Sequence, residues 1–253
     1  MSKINELVAT LNAITDKNIF EIYIPSLKRT VKFRPLTAKQ QRAFYTCVNE
    51  KTVFNTQFIL TTFNIIKGCC TESNLIPVFN IFDRAAILIA LRVNTLGNLI
   101  TVLKDEQEFT VDLTDCLQQF KSLELPICKD IAVQNILINL QIPTLLEQYE
   151  LEKELRDKEI DTMPFSSLLE DVITGEVCKL IKEINIEQVA VGYKNLNFKD
   201  KATVVESLPA SIVFELQDFA QNVNTKLSEC LTCPVKDNDT IAFDITVDFF
   251  LDR

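Results

Sequence analysis

The segment from Asn18 to Gln40, NIFEIYIPSLKRTVKFRPLTAKQ, joins two alternating runs through a short turn and then blocks the second run from continuing. Phe20-Glu21-Ile22-Tyr23-Ile24 and Thr30-Val31-Lys32-Phe33-Arg34 alternate apolar and polar residues on either side of Pro25 to Arg29, the pattern of a β-hairpin with one buried face. Its inward residues are drawn from Ile22, Ile24, Val31 and Phe33. Pro35 has no N–H to give to a ladder, so it ends the second strand. Thr37 and Gln40 have the spacing of a capping box, in which each side chain satisfies an orphan backbone N–H of the other. The expected unit is hairpin, proline, capped helix, with the hairpin packed on a helix running from Asn80 to Leu96.

Further signals extend this reading along the chain. Phe54, Phe58 and Ile65 share one face of a second helix through Ile66, which Gly68 is expected to end. The Asn80 to Leu96 helix is apolar almost all round at Ala85 to Leu91 and is closed by Gly97, so it belongs at a centre. Leu99 to Leu103 and Glu108 to Leu113 flank the polar turn Lys104 to Gln107, a second hairpin. Thr114 or Asp115 can cap a short helix reaching Phe120. Asp130 to Ile142 is rich in β-branched and aliphatic residues, and its period of two from Ile136 onward suits a half-buried strand, stopped by Pro143. Residues 144 to 158 read as a charged, solvent-exposed linker helix, followed by apolar helices from Ser166 or Ser167 to Ile184 and from Pro209 to Leu227. A last hairpin follows Cys230-Leu231-Thr232-Cys233-Pro234, and Phe249-Phe250-Leu251 leaves an apolar patch needing cover. The fold class is α+β: a helical N-terminal domain opened by a hairpin (1–97), a small β middle (98–143), and a helical C-terminal domain ending in the Cys-x-x-Cys hairpin (144–253).

Composition narrows function by exclusion. The 253 residues contain no histidine, which removes Ser-His-Asp and Cys-His nucleophilic sites, His-liganded zinc sites and His general bases. Four glycines cannot be arranged as a dinucleotide-binding or phosphate-cradling loop. No apolar run is long enough to span a bilayer and the first residues do not resemble an export signal, so neither membrane insertion nor export is expected. The net charge of −9 is uneven: residues 1 to 70 hold ten Lys and Arg against four Asp and Glu, and the remainder sixteen against thirty-one. An acidic chain approaches polyphosphate against its own field, so nucleic acid is not an expected partner. The basic first quarter either pairs with acidic residues of its own fold, which we expect, or docks an acidic partner.

Ile24-Pro25-Ser26, Val31-Lys32-Phe33-Arg34-Pro35-Leu36 and Lys39-Gln40-Gln41 resemble the opening of the baseplate hub protein family of T4-type contractile-tailed phages. Asp83-Arg84-Ala85 to Leu91-Arg92 matches a helix of that family, and Cys230-x-x-Cys233-Pro234 with the terminal Phe-Phe extends the likeness. The resemblance implies a structural or assembly protein of the tail that acts in baseplate hub formation through contacts with other tail or baseplate proteins. It also admits an assembly chaperone for the tape measure protein or a hub intermediate, absent from the virion, and it leaves self-association open. The implied location is the host cytoplasm during assembly and the tail baseplate. Arg34, Arg84 and Arg92 are the partner-binding candidates. Helix-end charge placement is the competing explanation for Asp83 and Arg92.

Eight cysteines complete the list of reactive residues. Cys69 and Cys70 are adjacent, whereas the scattered Cys47, Cys116, Cys128 and Cys178 read as reduced, buried small hydrophobes, and no disulfide framework is implied. Cys230 and Cys233 have the spacing of half a zinc site, but no second pair and no histidine complete it. Structural thiols, a zinc site completed by other cysteines or a second copy, and a redox pair stay open, and no bound cofactor is expected. An enzyme using a cysteine nucleophile or a thiolate-bound metal is the alternative from another class. It would need a thiol of lowered pKa in a cleft.

Overall fold

The computed structural model describes residues 3–7, 10, 18–48, 56–125, 127–157, 174–187, 189–190, 192–235, 240–246 and 248–250. In chain order these form β1 (Phe20–Ile24), β2 (Arg29–Phe33), α1 (Ala38–Val48), α2 (Thr56–Cys69), α3 (Ile81–Leu96), β3 (Leu99–Lys104), β4 (Gln107–Asp112) and α4 (Leu113–Ser122). They continue with β5 (Cys128–Val133), β6 (Ile136–Gln141), α5 (Leu145–Asp157), β7 (Ile181–Ile186), β8 (Val189–Ala190), α6 (Phe198–Glu206), α7 (Ala210–Cys230), β9 (Thr232–Pro234) and β10 (Thr240–Ala242). The fold is α+β. Two compact units divide the chain, one from residues 1 to 123 together with 230 to 253, the other from residues 124 to 229.

The first unit is built on the expected hairpin. β1 and β2 pair antiparallel with Ile22 opposite Val31, and Ile22, Ile24, Val31 and Phe33 are all buried. This face packs on α3, whose residues from Phe82 to Leu91 are buried except Arg84. β2 also ties down the end of α2: the Arg34 N–H donates to the Cys69 carbonyl at 2.8 Å, and the Thr71 N–H to the Lys32 carbonyl at 3.0 Å. α2 therefore runs through Gly68 to Cys69. Gly68 is a site of close approach, since a Cβ there would lie 2.8 Å from Gln40 Nε2. β3 and β4 form the second hairpin, turning at Asp105 and Glu106, both at positive φ. Asp112 caps α4 by accepting from the Thr114 N–H at 2.9 Å, two residues before Thr114 and three before Asp115.

The chain end completes this unit. Phe250 stacks on Phe44 at 4.0 Å, Phe249 meets Phe250 edge-on at 5.1 Å, and Phe249 stacks with Phe243 at 5.8 Å. The apolar patch expected at the C-terminus is thus part of a core begun by the first hundred residues; Leu251 lies outside the described residues. β9 and β10 form the expected C-terminal hairpin. Cys116 of α4 and Cys233 of β9 are disulfide-bonded across 117 residues, with Cα atoms 5.9 Å apart. The reading of Cys116 as a free thiol is corrected accordingly. Cys128 is exposed rather than buried.

The second unit differs more from expectation. The half-buried strand expected from Ile136 is β6, and a further strand, β5, precedes it, because Gln134 adopts φ 54° and turns the chain into the β5–β6 hairpin. Residues 181 to 186 are the strand β7, not the end of a helix, and the four-stranded antiparallel sheet runs β5-β6-β7-β8. The "helical" C-terminal part therefore contains a sheet. Residues 166 to 173 of that expected helix lie outside the described residues. α5 is not a solvated linker: Leu145, Gln148 and Glu152 are buried. α7 is longer than expected and buries Ile212, Leu216, Phe219 and Val223 at helical spacing. The two units do not follow the cuts at 97/98 and 143/144, because α4 and the final strands belong with α3.

Phe33 is fully buried beneath the hairpin. Phe33→Ala should destabilise the chain by about 3–5 kcal/mol, measured as a shifted denaturant midpoint, through lost transfer energy and an unfilled cavity.

Candidate functional site

Asn80 sits in extended backbone immediately before α3, and its Oδ1 accepts from the N–H groups of Phe82 at 2.9 Å and Asp83 at 3.2 Å. Asp83 Oδ2 accepts in return from the Asn80 N–H at 2.8 Å, completing a capping box. The same carboxylate reaches into the turn between β1 and β2. Ser26 N–H donates to Oδ1 at 2.9 Å and Ser26 Oγ to Oδ2 at 2.6 Å, across 57 residues of sequence. Asp83 is wholly buried, which an anion tolerates only with such donors and a helix N-terminus beside it. Burial pushes its pKa above 3.8, outweighing the hydrogen bonds from Ser26 and Asn80 that pull it down. Thus Ile24-Pro25-Ser26 and Asp83-Arg84-Ala85, far apart in sequence, meet at one carboxylate.

Beside the exit of β2 lies a groove of about 530 Å³ between the start of α1 and the face of α2. Arg34, Thr37, Lys39 and Gln40 line one wall, and Asn64 and Ile65 the other. The predicted capping box holds the first wall: the Thr37 N–H donates to Gln40 Oε1 at 2.9 Å, and the Gln40 N–H to Thr37 Oγ1 at 3.3 Å. Gln40 Nε2 donates onward to Cys69 Sγ at 3.3 Å.

The three arginines expected to form one docking surface do not all reach a surface. Arg34 is half-buried at the groove and Arg84 half-buried in the first turn of α3. Arg92 is only 5% exposed; its guanidinium stands over the Phe249 ring at 5.4 Å and donates to the Leu99 carbonyl. It is a core residue, buried because α3 is apolar on every side and the chain end covers its last turn. Exposed Lys28, Lys32, Lys39, Arg42 and Lys67 form no ion pair among the described residues, whereas Arg29 pairs with Glu72 at 3.0 Å. The expected pairing of the basic first quarter within its own fold is therefore met at Arg29 but not at these five.

The second unit offers a smaller cleft, about 200 Å³, in which Lys179, Lys182, Lys194 and Lys201 face Glu150 and Glu154 of α5. Its charges are largely balanced locally: Lys194 pairs with Glu147 at 3.7 Å, and Lys179 with Glu176.

The family model described as T4 bacteriophage base plate protein matches residues 17 to 251. The chain belongs to that family. No curated protein and no solved structure matches it. The match spans both units, so this is a phage baseplate protein along nearly its whole length, consistent with a structural role.

In this baseplate protein three buried thiols are placed against reactivity. Burial pushes the Cys69 and Cys178 pKa values up to about 11, the first against a hydrogen bond from Gln40 and the charge of Arg34, and raises that of Cys70 as well. Cys233 is committed to Cys116, so Cys230-x-x-Cys233 does not present two thiolates side by side. The sequence showed the cysteine spacing but not this pairing.

Two measurements follow. Asp83→Asn should cost about 1–3 kcal/mol, because the amide donors now face Ser26 and Asn80 donors. A carboxyl whose folded pKa lies above its unfolded 3.8 contributes more stability when protonated, so the wild-type advantage over Asp83→Asn should shrink as pH rises through that raised value. Alkylation of the native protein near neutral pH, read by peptide mass spectrometry, should label Cys128 first and Cys47 more slowly, leaving Cys69, Cys70, Cys178 and Cys230 protected. Denaturation without reductant should then expose the remaining four thiols, with Cys116 and Cys233 still unlabelled.

Proposed function

We propose that the chain is a structural or assembly component of a contractile phage tail, acting in baseplate hub formation through contacts with other tail proteins. The observation that carries this reading is the family match over residues 17 to 251. The structure supports it in a specific way: the residues that carry the resemblance converge on a buried staple that fixes the shape of a surface. Ser26, Asn80 and Asp83 hold the hairpin on α3, the hairpin holds the end of α2, and α1 and α2 frame the basic groove. Such an arrangement offers a rigid, preorganised face, which lowers the ordering cost of docking.

On this reading the mechanism is surface burial and charge complementarity, with no reaction and no bound zinc. Raised thiol pKa values at Cys69, Cys70 and Cys178 favour it over a cysteine nucleophile, which needs a thiolate at neutral pH.

Mass spectrometry of purified tails, set beside infected-cell lysate, tests the proposal. The chain should be recovered from tails at a fixed ratio to other baseplate proteins and should co-purify with them from lysate. Recovery with tail intermediates in lysate but not in finished tails would instead make it an assembly chaperone. Recovery with neither would remove the tail role altogether.

A further inference from the structure

Between Ile22 and Thr71 the only acidic residue is Glu50, whereas this stretch carries eight Lys and Arg. The fold turns that bias into a face. Lys39, Arg42 and Tyr45 follow one another at three-residue spacing along α1, all exposed, with Tyr45 at 50%. Lys39 also lines the groove shared with α2. Neither Lys39 nor Arg42 is ion-paired among the described residues. An exposed aromatic beside unneutralised cations and an adjoining recess has the make-up of a docking surface for an acidic protein.

The chain carries the complementary charge itself. Residues 124 to 229 hold nineteen Asp and Glu against ten Lys and Arg, which accounts for the whole net charge of −9, while the other unit holds sixteen of each. We propose that the Lys39, Arg42 and Tyr45 ridge with its groove docks the acidic 124–229 unit of a second copy, head to tail. Docked head to tail in this way, the copies make a heterologous contact that leaves a free ridge at one end and a free acidic unit at the other. It therefore propagates into a ring or an open chain rather than stopping at a symmetric dimer. Repulsion between net-negative copies acts at longer range and is screened beyond about 8 Å at physiological ionic strength, whereas charges in contact are not. This inference rests on the reading of the chain as a part that works through protein contacts, and it adds a self-partner.

Sedimentation velocity on the purified full chain tests it, and a negative result leaves recovery from tails unaffected. Wild type should associate with rising concentration in about 0.1 M salt and weaken about tenfold or more in 0.5 M salt. The double variant Lys39→Glu/Arg42→Glu should be monomeric under the same conditions. Lys39 lies in the first turn of α1, where an acidic residue suits the helix dipole, and circular dichroism checks the fold. Should that variant unfold, Lys39→Gln/Arg42→Gln replaces it, with the same expected loss of association. The variant keeps its acidic unit, so it should still bind the ridge of wild type and shorten the wild-type assemblies when mixed in. Wild type that stays monomeric at every concentration overturns the proposal, even if it retains a DNA duplex. So does a folded variant that associates like wild type, or a monomeric variant that leaves wild-type assemblies unchanged.

Discussion

A single carboxylate taken out of water fixes the geometry of the first unit. Asp83 caps α3 through Asn80 and accepts twice from Ser26 in the hairpin turn. Two of its three described donors come from the hairpin side, so α3 and the hairpin cannot shift past each other without stranding a buried charge. The constraint propagates. The position of β2 sets Cys69 through the Arg34 N–H, and the Phe33–Cys70 bridge carries the strand pairing into the end of α2. Gln40 then spans from the cap of α1 to Cys69, over a glycine whose missing Cβ leaves room for its amide. The groove walls are thus set by a hydrogen-bond chain that begins at Asp83.

The same unit is closed by the far end of the chain. Residues 124 to 229 are an insertion in sequence between two parts of one core. At the neck of that insertion, Gln119 Nε2 donates to the Thr232 carbonyl at 2.6 Å, and Cys116 is bonded to Cys233. The chain therefore leaves the first unit and returns to it at nearly the same place. Closing a loop of that length by chain alone is entropically unfavourable, and in the chain-entropy model a crosslink over roughly 100 residues offsets on the order of 4–5 kcal/mol. Phe249 and Phe250 then complete an aromatic cluster with Phe44. Because these contacts join residues far apart in sequence, loop-closure entropy makes them slower to form than the local hairpins.

What was legible in the sequence was local. The capping box at Thr37 and Gln40, the β1–β2 hairpin, the Asn80 to Leu96 helix with its Gly97 stop and the final hairpin all follow from residue types a few positions apart. The misreadings arise where one pattern serves two structures. Ile181 and Ile184 are three apart, as in a helix, yet both belong to β7, where the register shift opposite Asn139 and Leu140 lets both be buried. Gln134 and Asn135 make a turn without glycine or proline, so the alternation from Ile136 was readable but the separate strand β5 before it was not. Gly68 looked like a helix stop because its other use, proximity to Gln40, depends on a side chain 28 positions earlier. Arg92, the Cys116–Cys233 bond and the Ser26–Asp83 contact were all beyond local reading, since each joins residues that only the tertiary fold makes neighbours. Of the candidate site, the basic bias was visible in composition; its concentration beside a groove was not.

Charge in this protein has two scales, and they point in different directions. The pI of about 4.8 describes the whole chain, and it governs solubility and the long-range repulsion between copies. At contact distances the relevant quantity is which charges remain unneutralised on a given face. The unit formed by residues 1–123 and 230–253 has equal numbers of basic and acidic residues, yet that numerical balance does not neutralise the ridge of α1. Its acidic residues fall outside the stretch from Ile22 to Thr71, apart from Glu50, and one of them, Asp83, is buried in the staple. In the other unit the lysines described at the cleft largely have carboxylates to hand, as Lys194 has Glu147 and Lys179 has Glu176. An acidic chain can therefore present a positive face wherever the fold separates cations from their counter-charges. Here the separation is held by the same buried carboxylate that fixes the groove.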